Sequence, residues 1–119
     1  PEDAARRGIQ DGDIVELLNA RGRCLAGARV TDDVAQGTAF LWTGAWYDPD
    51  FDAPQHRDRH GNPNTLTHDL RTSQFSQSPA AHSARVEIRT FLGHPDPVRA
   101  HDPPDFASKP NSNEAQNGQ

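Results

Sequence analysis

Ile14-Val15-Glu16-Leu17-Leu18-Asn19 and Cys24-Leu25-Ala26-Gly27-Ala28-Arg29-Val30 are two apolar runs set close together in the chain. Each is short, rich in branched or small apolar residues and bounded by turn formers, as strands are. The connection Asn19-Ala20-Arg21-Gly22 carries a glycine able to take the positive φ that hairpin turns favour. The two runs therefore read as the arms of a β-hairpin. The small residues of the second arm suggest close packing against another backbone.

The flanks extend this reading. Upstream, Asp11-Gly12-Asp13 is a turn, and Glu2 to Arg7 reads as a short helix. Pro1 suits its start, Glu2 and Asp3 complement the positive helix end, and Gly8 caps it so that Ile9 turns back onto the body. Downstream, Thr31-Asp32-Asp33 and Gln36-Gly37 bracket a loop, and Thr38-Ala39-Phe40-Leu41-Trp42 reads as a third strand. Arg85-Val86-Glu87-Ile88-Arg89-Thr90-Phe91 alternates and reads as a closing strand. Between them, Thr43 to Ala81 keeps no period of 2 or 3.6 residues. The expectation is a mainly β domain over residues 1–92, a small barrel with one short N-terminal helix and one long irregular loop. Residues 93–119 are proline-rich and polar, bury little, and read as a tail that is disordered or docked elsewhere.

Composition narrows the functions. The chain has 119 residues, enough for one small domain, and a net charge of −5. That charge argues against nucleic acid as main partner, since phosphate backbones need a basic footprint. No apolar run is long enough to span a membrane. The chain opens on Pro1 and has no methionine, so it is expected to be a piece of a larger protein. Cys24 is the single cysteine, which excludes an internal disulfide or a multi-cysteine cluster within the chain. Its apolar surroundings predict a buried, inert thiol.

Three readings compete for the long loop. Asn62, Asn64, Gln74 and Gln77 are amides that donate and accept together, and Pro63 stiffens the tip of Gly61-Asn62-Pro63-Asn64-Thr65-Leu66-Thr67. Such a loop suits a heterocycle with many polar edges. The plainer alternative is that these side chains satisfy their own turns. A metal site from His56, His60 and His68 with nearby aspartates lacks any recognised spacing, and no nucleophile elbow is present.

The segment from Asp3 to Asp13, then Asn19-Ala20-Arg21-Gly22 and Ala26 to Asp32, resembles the molybdopterin-dinucleotide-binding domain of the dimethyl sulfoxide reductase superfamily. Gly44-Ala45-Trp46-Tyr47-Asp48-Pro49, the loop Gly61–Thr67, and Thr72-Ser73-Gln74 through Ala81-His82 are similar to one branch. That branch holds the dimethyl sulfoxide, trimethylamine N-oxide and biotin sulfoxide reductases. The resemblance covers about residues 2–91.

The resemblance implies a double-psi β-barrel at the C-terminal end of a large enzyme. It implies binding of bis(molybdopterin guanine dinucleotide) molybdenum, shared with domains absent here, and reduction of S-oxides or N-oxides. The metal-ligating serine and the substrate funnel would lie in those other domains, so the chain alone is expected to catalyse nothing. Asn64 matches the asparagine of the superfamily's Asn-x-Leu-Thr loop, which contacts a pterin. Asn62 matches an additional asparagine of the branch. Gln74 and Gln77 fall where polar side chains approach the cofactor, and His82 where other branches often carry lysine. Trp46 and Tyr47 match as wall residues first and ligand contacts second, and Trp46 is counted among the expected cofactor-binding residues. Arg71 stands where the branch usually has glycine, and Ser78-Pro79 also departs from the pattern. Since the branch includes both cytoplasmic and periplasmic enzymes, the compartment stays open. The competing reading is a cofactor-free β-barrel that docks a partner protein through the long loop and tail.

Overall fold

The computed structural model describes residues 1–76, 78 and 80–103. Its centre is the hairpin. Strand β1 (Ile14–Leu18) pairs antiparallel with β2 (Arg23–Gly27), with Leu17 opposite Cys24 and Val15 opposite Ala26. On its other side β1 pairs antiparallel with β3 (Glu87–Thr90), placing Leu17 opposite Ile88 and Glu16 opposite Arg89. The order is β2-β1-β3. The last strand thus closes onto the first, and β1 is covered on both edges.

The period-2 alternation sorts the two faces. Val15, Leu17 and Cys24 face a buried cluster with Ile9 and Leu66, against which Ala4, Ala26, Leu41, Val86 and Ile88 pack. Helix α1 (Glu2–Arg6) contributes Ala4, and the amide of Ile9 donates to Ala4 O at 2.9 Å, turning the chain back as expected. Burial of Leu66, only 3% exposed, stabilises by about 2 kcal/mol and anchors the far end of the long loop in the core.

The described residues form an open sheet, not a closed barrel. The expected third strand is absent: residues 38–42 adopt no regular element. Phe40 and Trp42 are 66% and 78% exposed and stack edge to face at 4.9 Å. This apolar run has nothing to pair with, and a strand needs a neighbour to satisfy its main chain.

The free edge of β2 is covered by the long loop itself. Asp58 N donates to Arg23 O at 2.9 Å and Leu25 N to Asp58 O at 3.0 Å, a parallel bridge. Asp58 bridges in turn to Pro49, where Asp50 N donates to Arg57 O and Arg59 N to Asp48 O. Two short segments therefore extend the sheet where the sequence offers no period. The start of the expected tail also has contacts on this body. Arg59 Nε donates to Asp96 Oδ2 at 2.6 Å, and Trp46 N to Ala100 O at 2.9 Å. The rest of that tail, 104–119, lies outside the described residues, as do Gln77 and Pro79.

Candidate functional site

Asn19 ends β1 and ties three segments together. Its Oδ1 accepts from Arg21 N and Gly22 N, which builds the hairpin turn. Its Nδ2 donates to Leu66 O at 2.7 Å and Arg85 O at 3.1 Å. The long loop is thereby pinned against the turn. The approach is close enough that a Cβ on Gly22 would lie 2.5 Å from Thr65 O, so only glycine fits there.

Asp58 sets the shape of the loop. It is fully buried, and its carboxylate accepts from three main-chain amides: Asp48 at 2.9 Å, Asn62 at 2.7 Å and His60 at 3.2 Å. These amides satisfy the buried carboxylate. Gly61, within the curl around this carboxylate, has a φ of +74° and sits under Leu25 O, a position ill suited to a side chain. His60 is buried beside it, with Nε2 3.1 Å from Asp48 Oδ2 but off the hydrogen-bonding line.

Asn62 then caps the short 3-10 turn Pro63–Thr65: its Oδ1 accepts from Asn64 N at 3.0 Å, and its carbonyl accepts from Thr65 Oγ1 at 2.9 Å. The plain reading of loop asparagines therefore holds for Asn62, whose side-chain oxygen is spent on its own turn. It does not hold for Asn64, whose side chain is exposed with no partner among the described residues.

Both asparagines line an open cleft of about 460 Å³, with Arg21, Gly22, Tyr47, Gln55, His56 and Thr65. Among the described residues no carboxylate lines it. Gln55 and His56 reach it with positive φ of 53° and 47°. This left-handed backbone costs about 1–2 kcal/mol per residue for side chains bearing a Cβ. Bonds from Arg23 Nε to Gln55 Oε1 at 2.7 Å, and from Gln55 Nε2 to the carbonyls of Asn19 and Ala20, offset it. A larger depression of about 520 Å³ lies among Arg6, Arg7, Glu87, Ile88 and Arg89. It holds none of the expected site residues, and Arg6 and Arg89 are already paired with carboxylates.

Of the other expected residues, Trp46, Gln74 and His82 are exposed but do not line the cleft, and Gln77 lies outside the described residues. Tyr47, beside Trp46, does line it. Asp58, Gln55 and Arg21 were not foreseen as site residues, and His56 was weighed only as a metal ligand. Nothing local separates Asp58 from Asp48, Asp50 or Asp52.

The opposite sheet face holds Glu16, 3% exposed, among three arginines. Arg89 Nη2 lies 2.6 Å from Oε2, Arg23 Nη1 3.5 Å from Oε2 and Arg57 Nη1 3.4 Å from Oε1. Burial alone would raise the Glu16 pKa. The Arg89 hydrogen bond and charge, with Arg57 and Arg23, outweigh it and hold the carboxyl below its ordinary 4.5. Cys24, fully buried, is pushed up to about 12 by burial, which makes it inert. Among the described residues no three His, Cys, Asp or Glu side chains are grouped to hold a metal ion, and no helix is long and apolar enough to cross a membrane.

Comparison with known proteins gives this geometry its context. The chain is 49% identical over 105 residues to a trimethylamine-N-oxide reductase of Salmonella typhimurium, covering 87% of this chain and 12% of that protein. It is 49% identical over 104 residues to a biotin sulfoxide reductase of Cereibacter sphaeroides, covering 86% and 14%. It is 40% identical over 94 residues to a dimethyl sulfoxide/trimethylamine N-oxide reductase of Rhodobacter capsulatus, covering 78% and 11%. The chain thus spans about an eighth of the length of the relatives it matches. The family model described as Molydopterin dinucleotide binding domain matches residues 1–85, and this chain belongs to that family.

Proposed function

We propose that this chain is the cofactor-holding C-terminal domain of a molybdenum reductase acting on S-oxides or N-oxides, and that the cleft beside Asn64 takes part of a bis(molybdopterin guanine dinucleotide) cofactor. The observation that carries this is the Asn64 side chain. It presents a free amide at a cleft lined by neutral or basic polar groups, on a loop fixed from beneath by Asp58. An amide donates and accepts along a pterin edge without bringing charge to a redox centre. The lining without carboxylates fits a cofactor carrying phosphates.

When bound, the cofactor supplies oxygen-atom transfer and redox chemistry. This chain's residues bind, orient and shield. Asn62 has its Oδ1 committed and offers only Nδ2. Tyr47 walls the cleft. Trp46, Gln74 and His82, exposed outside the lining, are proposed to meet more distant parts of a ligand longer than the cleft, and the proposal includes Gln77. Exposed Phe40, Trp42, Phe51 and Phe75 suit burial against the remaining domains of the parent enzyme, where added strands would complete a double-psi barrel. Membership of a cofactor-binding family favours this over a cofactor-free docking module.

The test is Asn64→Ala in the full-length parent. Loss of one hydrogen-bonding partner from a desolvated site is expected to lower bound pterin about tenfold. Unchanged pterin content and activity would remove Asn64 from the site.

A further inference from the structure

The proline-rich segment after β3 touches the long loop at three successive points. The Arg57 guanidinium lies over the Phe91 ring, 4.7 Å from its centroid. Arg59 Nε donates to Asp96 Oδ2 at 2.6 Å, and Trp46 N donates to Ala100 O at 2.9 Å. β3, from which this segment leaves, lies on the opposite edge of the sheet from β2, whose free edge the loop covers. Residues 91–100 therefore run from one edge of the sheet to the loop that covers the other. All three contacts come from residues beyond the matched family domain, which ends at residue 85.

The sequence stiffens this path. In His94-Pro95-Asp96-Pro97 each proline has a fixed φ and confines the residue before it to extended backbone. Asp96 therefore has little freedom left to lose on docking. Arg59 receives it with the one nitrogen not turned to the loop. Its Nη1 donates to Pro49 O at 2.7 Å and to Asp48 Oδ1 at 3.2 Å, and its Nη2 lies 3.5 Å from Asp50 Oδ1. Asp48 N in turn donates to Asp58 Oδ1, and Asp58 Oδ2 accepts from Asn62 N. A line of bonded groups thus runs from Asp96 to the carboxylate that shapes the curl at Gly61. Ala100 fixes the main chain of Trp46, next to Tyr47 of the cleft wall.

We propose that residues 91–100 strap the long loop into its binding shape, and that Asp96 is a positioning residue acting on Asn62 and Asn64 through Arg59, Asp48 and Asp58. This rests on the reading of the cleft as the cofactor site. Asp96 does not line the cleft, so it governs how firmly a bound cofactor is kept and not which cofactor is bound. Its side chain is 57% exposed, and an ion pair so exposed shifts an equilibrium by about two- to fivefold.

The experiment uses the full-length parent enzyme carrying Asp96→Asn, the pair Pro95→Ala and Pro97→Ala, Asp32→Asn, or Asn64→Ala. Asp32 is an exposed carboxylate outside these contacts and controls for net charge. Three quantities are read: amide exchange of residues 58–64 in the cofactor-free enzyme, the rate at which pterin leaves the loaded enzyme, and the urea midpoint. Asp96→Asn is expected to exchange about threefold faster at 58–64 and to release pterin about threefold faster, at an unchanged urea midpoint. The proline pair is expected to act in the same direction by loosening the strap, and Asp32→Asn to change neither quantity. Unchanged exchange and release in Asp96→Asn would overturn the strap, as would equal changes in Asp32→Asn. Faster exchange without faster release, or a fall in the urea midpoint that matches the faster release, would make Asp96 merely structural and overturn its positioning role. Faster exchange in Asp96→Asn while Asn64→Ala keeps all its pterin would support the strap and overturn the reading of the cleft instead.

Discussion

Replacing Asp58 with alanine removes the acceptor of three buried or half-buried amides, those of Asp48, His60 and Asn62. Each orphaned amide costs about 1–3 kcal/mol, and water entering the vacated space recovers part of it. A net loss of about 4 kcal/mol follows, a large share of the 5–15 kcal/mol that holds small domains together. Asp58→Asn keeps the shape but turns one carboxylate oxygen into a donor. It retains two of the three bonds at best and is expected to lose about half as much. Two assays read this. Urea unfolding gives the free energy, with an unchanged slope if the native state is otherwise intact. Trypsin gives the locality, because Arg57 and Arg59 flank Asp58 with side chains only 17% and 27% exposed. Cleavage at both should rise sharply in Asp58→Ala before global unfolding. Wild-type stability in Asp58→Ala, with both arginines still protected, would refute the claim that this carboxylate organises the loop.

Glu16 gives a pH-dependent test. Its folded pKa lies below the ordinary 4.5, so its stabilisation is fully present above that value and is lost as pH falls from 4.5 towards the folded value. Glu16→Gln, which leaves three arginines facing one another, should lose about 3 kcal/mol at neutral pH and flatten the acid limb of the melting-temperature curve; an unchanged acid limb would contradict the role of the arginine cage. Cys24, with its pKa pushed from 9.0 to about 12 and no exposure, should resist thiol reagents at pH 8 in the native chain and react fully in urea; fast native labelling would contradict its burial. Gly22→Ala should cost about 1–3 kcal/mol by forcing a methyl against Thr65 O, seen as a lower melting temperature, while Gly27→Ala, which meets nothing within 4 Å, should not show this clash.

How far the sequence alone leads depends on whether a residue's role is set locally. Strands β1, β2 and β3 were legible because apolar alternation matches a sheet with one oily face, and Ile9 folded back as the glycine before it suggested. The run from Thr38 to Trp42 is similarly apolar but has no neighbour to pair with, so the expected strand does not form. Glu16 sits in an apolar run and reads as an outward residue. Its burial comes from arginines 7, 41 and 73 positions away, two of them beyond any local window. Asp58 is one of several loop aspartates, and only its three amide donors single it out. The loop at 61–67 was visible through family resemblance. The division of labour inside it, Asn62 spent on the turn and Asn64 free at the cleft, is set by the three-dimensional packing of the loop.

The central claim is that this loop grips a molybdopterin dinucleotide. Amide hydrogen exchange on the full-length parent, with and without its cofactor, tests it most directly. The account predicts slower exchange with cofactor bound across residues 61–67 and at the turn around Arg21, while β3 changes little. Identical exchange of residues 61–67 in the two states would contradict it.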